Sequence, residues 1–388
     1  MTQNYDVIVI GAGVVGVSVA FHLAERGLKP VILERREIAS GATGRSSGLV
    51  RMHYDLEADS RLAWVSFQYF RNWRERVGGE SGFTRTGFLD IEPAERVEHM
   101  RANVEMHKRI GIPTSIITAA DVKELVPSFN TDNFAFAAYE PESGYADPVL
   151  TSNSFLAAAK ACGATYIQDC EVTGINVSGG RVTGVKSSRG DFSAPVIVNA
   201  AGPWAARVAE MAGVKIPIDT WTHDVAHIRR PPEVGDHPTV IDGSLAMYFR
   251  PDTGGLTLVA LEDNNRLGEP PDSEVGYVAQ DFVESAVERI CRRIPAMEAG
   301  SLHSTHVGRD GLTPDQRAVI GAFGPQGFYH ATGFSGTGFK TAPAVGLCIS
   351  ELILDGAAKT VDISGYDPGR FERGEYLKGE HDYGGLWR

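Results

Sequence analysis

The chain is poor in several things at once. Its 388 residues include only four cysteines, Cys162, Cys170, Cys291 and Cys348, which share neither a C-x-x-C pair nor a metal-ligand spacing. That usage argues against a zinc scaffold and a disulfide framework, and implies reduced thiols in a cytoplasmic protein. Positive charge is scarce: 37 lysines and arginines face 49 aspartates and glutamates, a net charge of −12, and no basic run stands out. Binding to nucleic acid or to an anionic membrane surface is therefore not expected, and an anionic substrate would need a local cationic site against the overall field. Long hydrophobic runs are missing too. The stretch from Val7 to Phe21 is shorter than the ~20 residues of a membrane span, it is broken by three glycines, and the start MTQNYD has no basic leader segment. There is no internal repeat, low-complexity linker or charge block.

Glycine, in contrast, is abundant, with 44 residues and no collagen-like period. The most informative cluster lies in YDVIVIGAGVVGVSVAFHLAERGLKPVILERR. Val7–Ile10 reads as a short strand buried on both faces, and Gly11, Gly13 and Gly16 form G-x-G-x-x-G ahead of an amphipathic helix. Pro30–Leu33 reads as a second strand ending at Glu34. In such a unit the first glycine makes the turn, the second admits a pyrophosphate to the backbone, and the third lets helix pack on strand. The helix N-terminus supplies amide donors and partial positive charge, and Glu34 is placed to accept from both ribose hydroxyls, which argues against a 2′-phosphate. The unit alone leaves FAD and NAD open. The small-residue loop ERREIASGATGRSSG, residues 34–48, suits a backbone threaded along an extended cofactor and is longer than a site for NAD alone needs.

A second glycine cluster, GFSGTGFK at 333–340, cannot be an ordinary helix interior, whereas Ala342 to Leu354 can be a helix. Lys340 is either a solvated surface charge or a fixed cation in a buried site. Between these segments, Val172, Ile175 and Val177, then Val182 and Val185, alternate around Gly179-Gly180 as a hairpin, and Val196–Val198 reads as another buried strand.

With GYADP at 144–148, CEVTGINVSGGRVTGVKSSRGDFSAPVIVNAAGPWA at 170–205 and GFYHATGFSGTGFKTAPAVG at 327–346, nearly the whole chain resembles the D-amino-acid oxidase superfamily of flavoproteins, in its sarcosine oxidase and dimethylglycine dehydrogenase branch. The resemblance implies a mixed α/β fold with a Rossmann-like FAD-binding domain (1–85, 145–215 and 325–388) interleaved with an antiparallel-sheet substrate domain (86–144 and 216–324). The polar tail RFERGEYLKGEHDYGGLWR is expected to be partly mobile. The cofactor implied is FAD, contacted by Gly11, Gly13, Gly16, Glu34, Arg35, Ser40, Thr43, Arg45, Ser46 and Ser47. Further along, Val172, Ala200, Gly202, Gly333, Ser335, Gly336, Gly338 and Lys340 complete the set.

By the same resemblance the reaction removes a hydride from a carbon beside an amine nitrogen, giving an imine that hydrolyses. Lys340 and Arg51 are expected to hold the substrate carboxylate, Tyr248 to shape the pocket, and His53 to line it. Three departures stand out. GGLTLVALEDNN carries no lysine where monomeric sarcosine oxidases promote reaction with oxygen, which points to another electron acceptor, and Glu262 lies near an expected histidine. The flavin-tethering cysteine of some relatives aligns near Gly308, and GATGRSSG lacks the tethering histidine of others, so FAD is expected to be non-covalent, with His303 and His306 the residual candidates for a tether. No metal is expected. A 2-hydroxy-acid or polyol-phosphate dehydrogenase on the same fold needs a base for the alcohol proton, for which His53, His223, His227 and His330 are available. A length near 390 residues also suits a flavin-carrying subunit of a hetero-oligomeric complex, with a homo-oligomer the other possibility.

Overall fold

The computed structural model describes residues 3–274 and 277–384. Short apolar strands build a six-stranded sheet in the order Thr165–Ile167, Pro30–Leu33, Val7–Ile10, Val196–Asn199, Phe328–Thr332, Val319–Ala322. Five run parallel and only the last pairs antiparallel, with Val319 opposite Thr332. A parallel sheet needs cover on both faces. On one face the helix Val14–Glu25, buried along nearly its whole length, packs against the helix Gly338–Asp355. These two helices approach so closely that a Cβ at Gly346 would lie 2.3 Å from Ser18 Oγ, and Ser18 Oγ donates to the Ala342 carbonyl at 2.8 Å. On the other face a four-stranded sheet, Gln3–Asn4, Phe192–Ser193, Arg181–Ser187 and Val172–Ser178, shares an apolar cluster with the helix Ala205–Glu210. Its hairpin turns at Gly179 and Gly180, both at positive φ (57° and 75°).

The second lobe is an eight-stranded sheet in the order Ser301–Leu312, Asp219–Arg229, Leu256–Leu267, Met247–Asp252, Thr239–Asp242, Phe88–Ile91, Phe136–Glu140, Ser115–Thr118. All its pairings are antiparallel except that of Thr239–Asp242 with Phe88–Ile91. The helix Gln280–Arg293 closes one face through Phe282, Ala286 and Ile290.

Three sequence expectations change. The strand Val319–Ala322 belongs to the six-stranded sheet, so a boundary at 325 would separate two hydrogen-bonded partners, and the chain crosses between lobes after Leu312. The last long helix begins at Gly338, not Ala342, which puts Lys340 in its first turn. The tail is docked: Arg370 is buried, Leu377 N–H donates to Asp315 (3.1 Å), Glu380 N–H to the Asp55 carbonyl (3.2 Å), and Tyr383 is 6% exposed. Its residues 385–388 lie outside the described ones. Among the described residues no helix is long and apolar enough to cross a membrane.

Candidate active site

A cavity of about 290 Å³ runs from the glycine turn of the first strand to the segment 334–340. At one end Gly11 has φ +103°, and a Cβ there would sit 2.7 Å from the Ala200 carbonyl. Gly13 is the N-cap of the first helix and offers no side-chain cap, while Val14 N–H donates to Thr43 Oγ1 at 3.1 Å. The helix start therefore presents backbone amides and the positive end of its dipole to the cavity. Gly16 does not reach the cavity; its Cβ would lie 2.0 Å from the Gly11 carbonyl, so it serves the strand–helix contact. Glu34 lines the cavity with Oε2 accepting from Ala12 N–H and Oε1 from Arg36 N–H, both at 2.8 Å. These bonds fix the carboxylate at the strand end and leave acceptor capacity on both oxygens.

Arg35, Ser40, Thr43, Ser46 and Ser47 also line the cavity, as do Val172, Ala200 and Gly202. A side chain at Gly202, φ +54°, would meet no protein atom within 4 Å. Arg45 turns away: its Nη1 donates to the Ser40 carbonyl at 2.7 Å, and it lines a separate pocket with His227, Arg250 and His306. At the mouth, Arg35 stacks on Trp204 at 4.2 Å. Asp272, from the eight-stranded lobe, accepts from Arg35 Nη2 and Trp204 Nε1 at 2.8 Å each, and from Arg207. Partial burial works against its charge, but these three hydrogen bonds pull its pKa down to about 2.

The other end is built by the second glycine cluster. Gly333 (φ +63°) packs on Thr313 and Ile218 outside the cavity; Ser335, Gly336 and Gly338 line it. Gly336 needs to be glycine, since a Cβ would stand 3.0 Å from the Trp221 ring at φ +87°. Lys340 is 8% exposed, donates to the Gly336 carbonyl at 3.2 Å, and lies 6.0 Å from the Tyr54 ring centroid. Burial, reinforced by the charge of Arg51, pushes its pKa well below the usual lysine value. Arg51 is 3% exposed, stacks on the same Tyr54 ring at 4.2 Å and donates to the His53 carbonyl. Two basic side chains of the cavity wall, Arg51 and Lys340, thus both approach the ring of Tyr54, which is fully buried behind the lining. Tyr248 lines the wall as well, its pKa raised by burial against a hydrogen bond with Ser47.

His53 is not on that wall. It sits behind Arg51, with Nε2 2.7 Å from the Tyr383 hydroxyl and 3.3 Å from Asp90 Oδ2. Glu262, His227, His303, His306 and His330 are likewise absent from the lining, whereas His223 is part of it. Burial, aided by the charges of His306 and Arg266, holds His223 near pKa 4 and therefore neutral. Its ring fills the space beside Gly308, where a Cβ would come within 2.5 Å of Nε2. Trp221, Asp310, Gln316 and Arg317 are further lining residues that the sequence reading did not assign to the site. Alternation along Asp219–Arg229 puts Trp221 on the same face as His223, already a candidate base, the signal by which Trp221 could have been found. Among the described residues no cluster of histidine, cysteine or acidic side chains could hold a metal.

The FAD dependent oxidoreductase family (DAO) matches residues 6–352. The chain belongs to this family. As an FAD-dependent oxidoreductase it is 30% identical over 385 residues to human mitochondrial sarcosine dehydrogenase, covering 96% of this chain and 42% of that protein. It is 26% identical over 389 residues to human mitochondrial dimethylglycine dehydrogenase, covering 94% and 44%. The chain thus spans under half the length of these curated relatives. A solved structure, L-proline dehydrogenase from P. horikoshii, superposes with a TM-score of 0.91 at 31% identity, over 97% of this chain and 100% of that one. The residues present fit FAD: a helix start whose N-cap is a glycine, with a tight turn at Gly11 where a side chain would clash, a fixed carboxylate at the second strand end, and open space at Gly202.

Proposed function

We propose that this enzyme oxidises a secondary or N-methylated amino acid, sarcosine-like or cyclic, to an imine. The observation that carries the reading is the pair of buried cations, Lys340 and Arg51, on the cavity wall beside the Tyr54 ring. A guanidinium binds a carboxylate with two parallel hydrogen bonds and an ammonium adds a point charge, so together they fix the carboxylate end of a substrate. Bound FAD supplies the two-electron acceptor for the hydride. Trp221, Tyr248 and the neutral His223 ring wall the same cavity, and walls of this kind hold the reacting carbon in one orientation. The product imine then adds water: an N-methylated substrate divides into the shorter amine and a carbonyl compound, and a cyclic one opens to a single amino-carbonyl compound. Relatives named for sarcosine, dimethylglycine and proline all act on such amino acids.

Two finer points follow. Non-covalent FAD is favoured because His223 occupies the space that a tethering side chain at residue 308 would need. An acceptor other than oxygen is favoured by the missing lysine in GGLTLVALEDNN, and a partner subunit remains compatible with the chain's share of its relatives' length. His223 also supports a second reading, oxidation of a 2-hydroxy acid with its imidazole accepting the alcohol proton. Anaerobic mixing with sarcosine, N,N-dimethylglycine, L-proline and lactate separates the two. Bleaching of the flavin absorbance by the amino acids supports the proposal, and bleaching by lactate alone supports the second reading. Admission of air then distinguishes oxidase from dehydrogenase.

A further inference from the structure

Among the charged residues that line the cavity and that the carboxylate clamp leaves unused is Asp310, an acid that feels the charge of Lys340. It lies on the strand Ser301–Leu312, two residues after Gly308 and so on the same face. Gly308 makes room for the His223 ring, and Asp310 stands opposite Trp221 in the register of the sheet. Asp310 Oδ1 accepts from Gly311 N–H at 2.7 Å and Oδ2 from Gly336 N–H at 2.8 Å. An ionised carboxylate has roughly four acceptor positions, so about half remain for a ligand. Burial raises its pKa, while these two backbone bonds and the charge of Lys340 favour the anion.

The cavity wall therefore carries the acid Asp310 as well as the cations Lys340 and Arg51, among other charged lining residues such as Arg309 and Arg317. An amino acid carries a matching pair of charges on neighbouring atoms. A 2-hydroxy acid carries only the negative one and would leave the Asp310 carboxylate with its two backbone bonds but no cationic partner from the ligand, which is costly where water is excluded. We propose that Asp310 pairs with the substrate's protonated nitrogen and thereby sets a preference for zwitterionic amino acids over 2-hydroxy acids. The inference rests on the reading that Lys340 and Arg51 take the substrate carboxylate. The pair also solves a chemical problem: moving the shared proton from nitrogen to Asp310 turns ammonium and carboxylate into amine and carboxylic acid, and only the neutral amine releases a hydride readily.

The test compares two ligands on the FAD-loaded protein under anaerobic conditions, using dissociation constants from the flavin absorbance change. L-Proline carries the cationic nitrogen, and tetrahydro-2-furoate has the same ring and carboxylate with an uncharged oxygen instead. Asp310→Asn and Asp310→Ser are made together, because Asn can present a donor where Gly336 needs an acceptor whereas Ser keeps an acceptor oxygen. Both variants are expected to weaken L-proline by roughly tenfold to a hundredfold, the range for a lost charge-assisted hydrogen bond, and to spare or tighten tetrahydro-2-furoate. Equal weakening of both ligands, no weakening of either, or loss of flavin from both variants overturns the proposal and leaves Asp310 as a strut for Gly336. Lys340→Met reports separately on the underlying reading: if it spares tetrahydro-2-furoate, the carboxylate clamp is wrong whatever Asp310 does.

Discussion

Replacing Arg317 by methionine removes one positive charge from a buried network that joins the cavity wall to the loop carrying Arg51. Arg317 Nη2 lies 2.7 Å from Asp55 Oδ1 and Nη1 lies 2.7 Å from Asp59 Oδ2, with all three side chains nearly inaccessible. Asp59 also accepts from the Tyr366 hydroxyl at 2.6 Å, and Arg370 donates to the Arg317 carbonyl at 3.0 Å and to Asp315 at 2.9 Å. Methionine fills most of the volume but leaves two buried carboxylates without their cation, a loss of about 3–5 kcal/mol. With an unfolding entropy of about 2.1 cal/mol/K per residue, a chain of this length melting as one unit would lose about 4–6 °C in Tm. The loss should depend on pH. Burial raises the Asp55 pKa and Arg317 opposes that rise, so the folded protein holds this proton more tightly than the unfolded chain, and the variant more tightly still. Stability contributed by a group with a raised folded pKa falls as pH rises. The deficit is therefore larger at pH 8 than at pH 5.5. Thermal melts of FAD-saturated protein at the two pH values check this. A deficit below about 1 kcal/mol, as for an exposed ion pair, or one independent of pH, refutes the reasoning.

Two further outcomes concern the cofactor. Gly16→Ala places a methyl group 2.0 Å from the Gly11 carbonyl, so the first turn must open and the purified protein should be colourless; flavin content equal to wild type contradicts this. Asp272→Ala frees Arg35, Trp204 and Arg207 at the cavity mouth. FAD release, followed by the rise in flavin fluorescence on dilution, should quicken by about tenfold for the loss of charge-assisted bonds. Salt should quicken release from wild type more than from the variant, because the latch is partly exposed and screened.

The parts of the site that were legible in the sequence are those whose geometry is local. Gly11, Gly13 and Glu34 work within a single strand–turn–helix–strand unit, where glycine spacing and a terminal acid reveal their own purpose. Gly16 was legible as part of the motif, yet it acts on the protein rather than on the cavity. Lys340 was found because a lone lysine follows three glycines, although the helix begins two residues before it. His53 shows the limit of proximity along the chain: two residues from Arg51, it turns to Tyr383, which is 330 residues away. Asp310 was hidden for the converse reason, and His223 was named only as one of four histidines available as a base. Their approach to the cavity depends on the register between Asp219–Arg229 and Ser301–Leu312, a pairing across some ninety residues that no local pattern specifies. The docked tail was missed similarly, because its polar residues are paired with buried partners from distant segments rather than with solvent.

The role of the two basic side chains beside Tyr54 is tested most directly by anaerobic reduction of FAD-loaded wild type and Lys340→Met by an amino acid and by the same amine without its carboxylate, such as L-proline and pyrrolidine. If Lys340 holds the carboxylate, the variant should need roughly thirtyfold or more L-proline for half-maximal flavin bleaching, as for a truncated buried charge pair, while its response to pyrrolidine stays that of wild type. Equal half-saturation by L-proline in the two proteins would contradict the central claim.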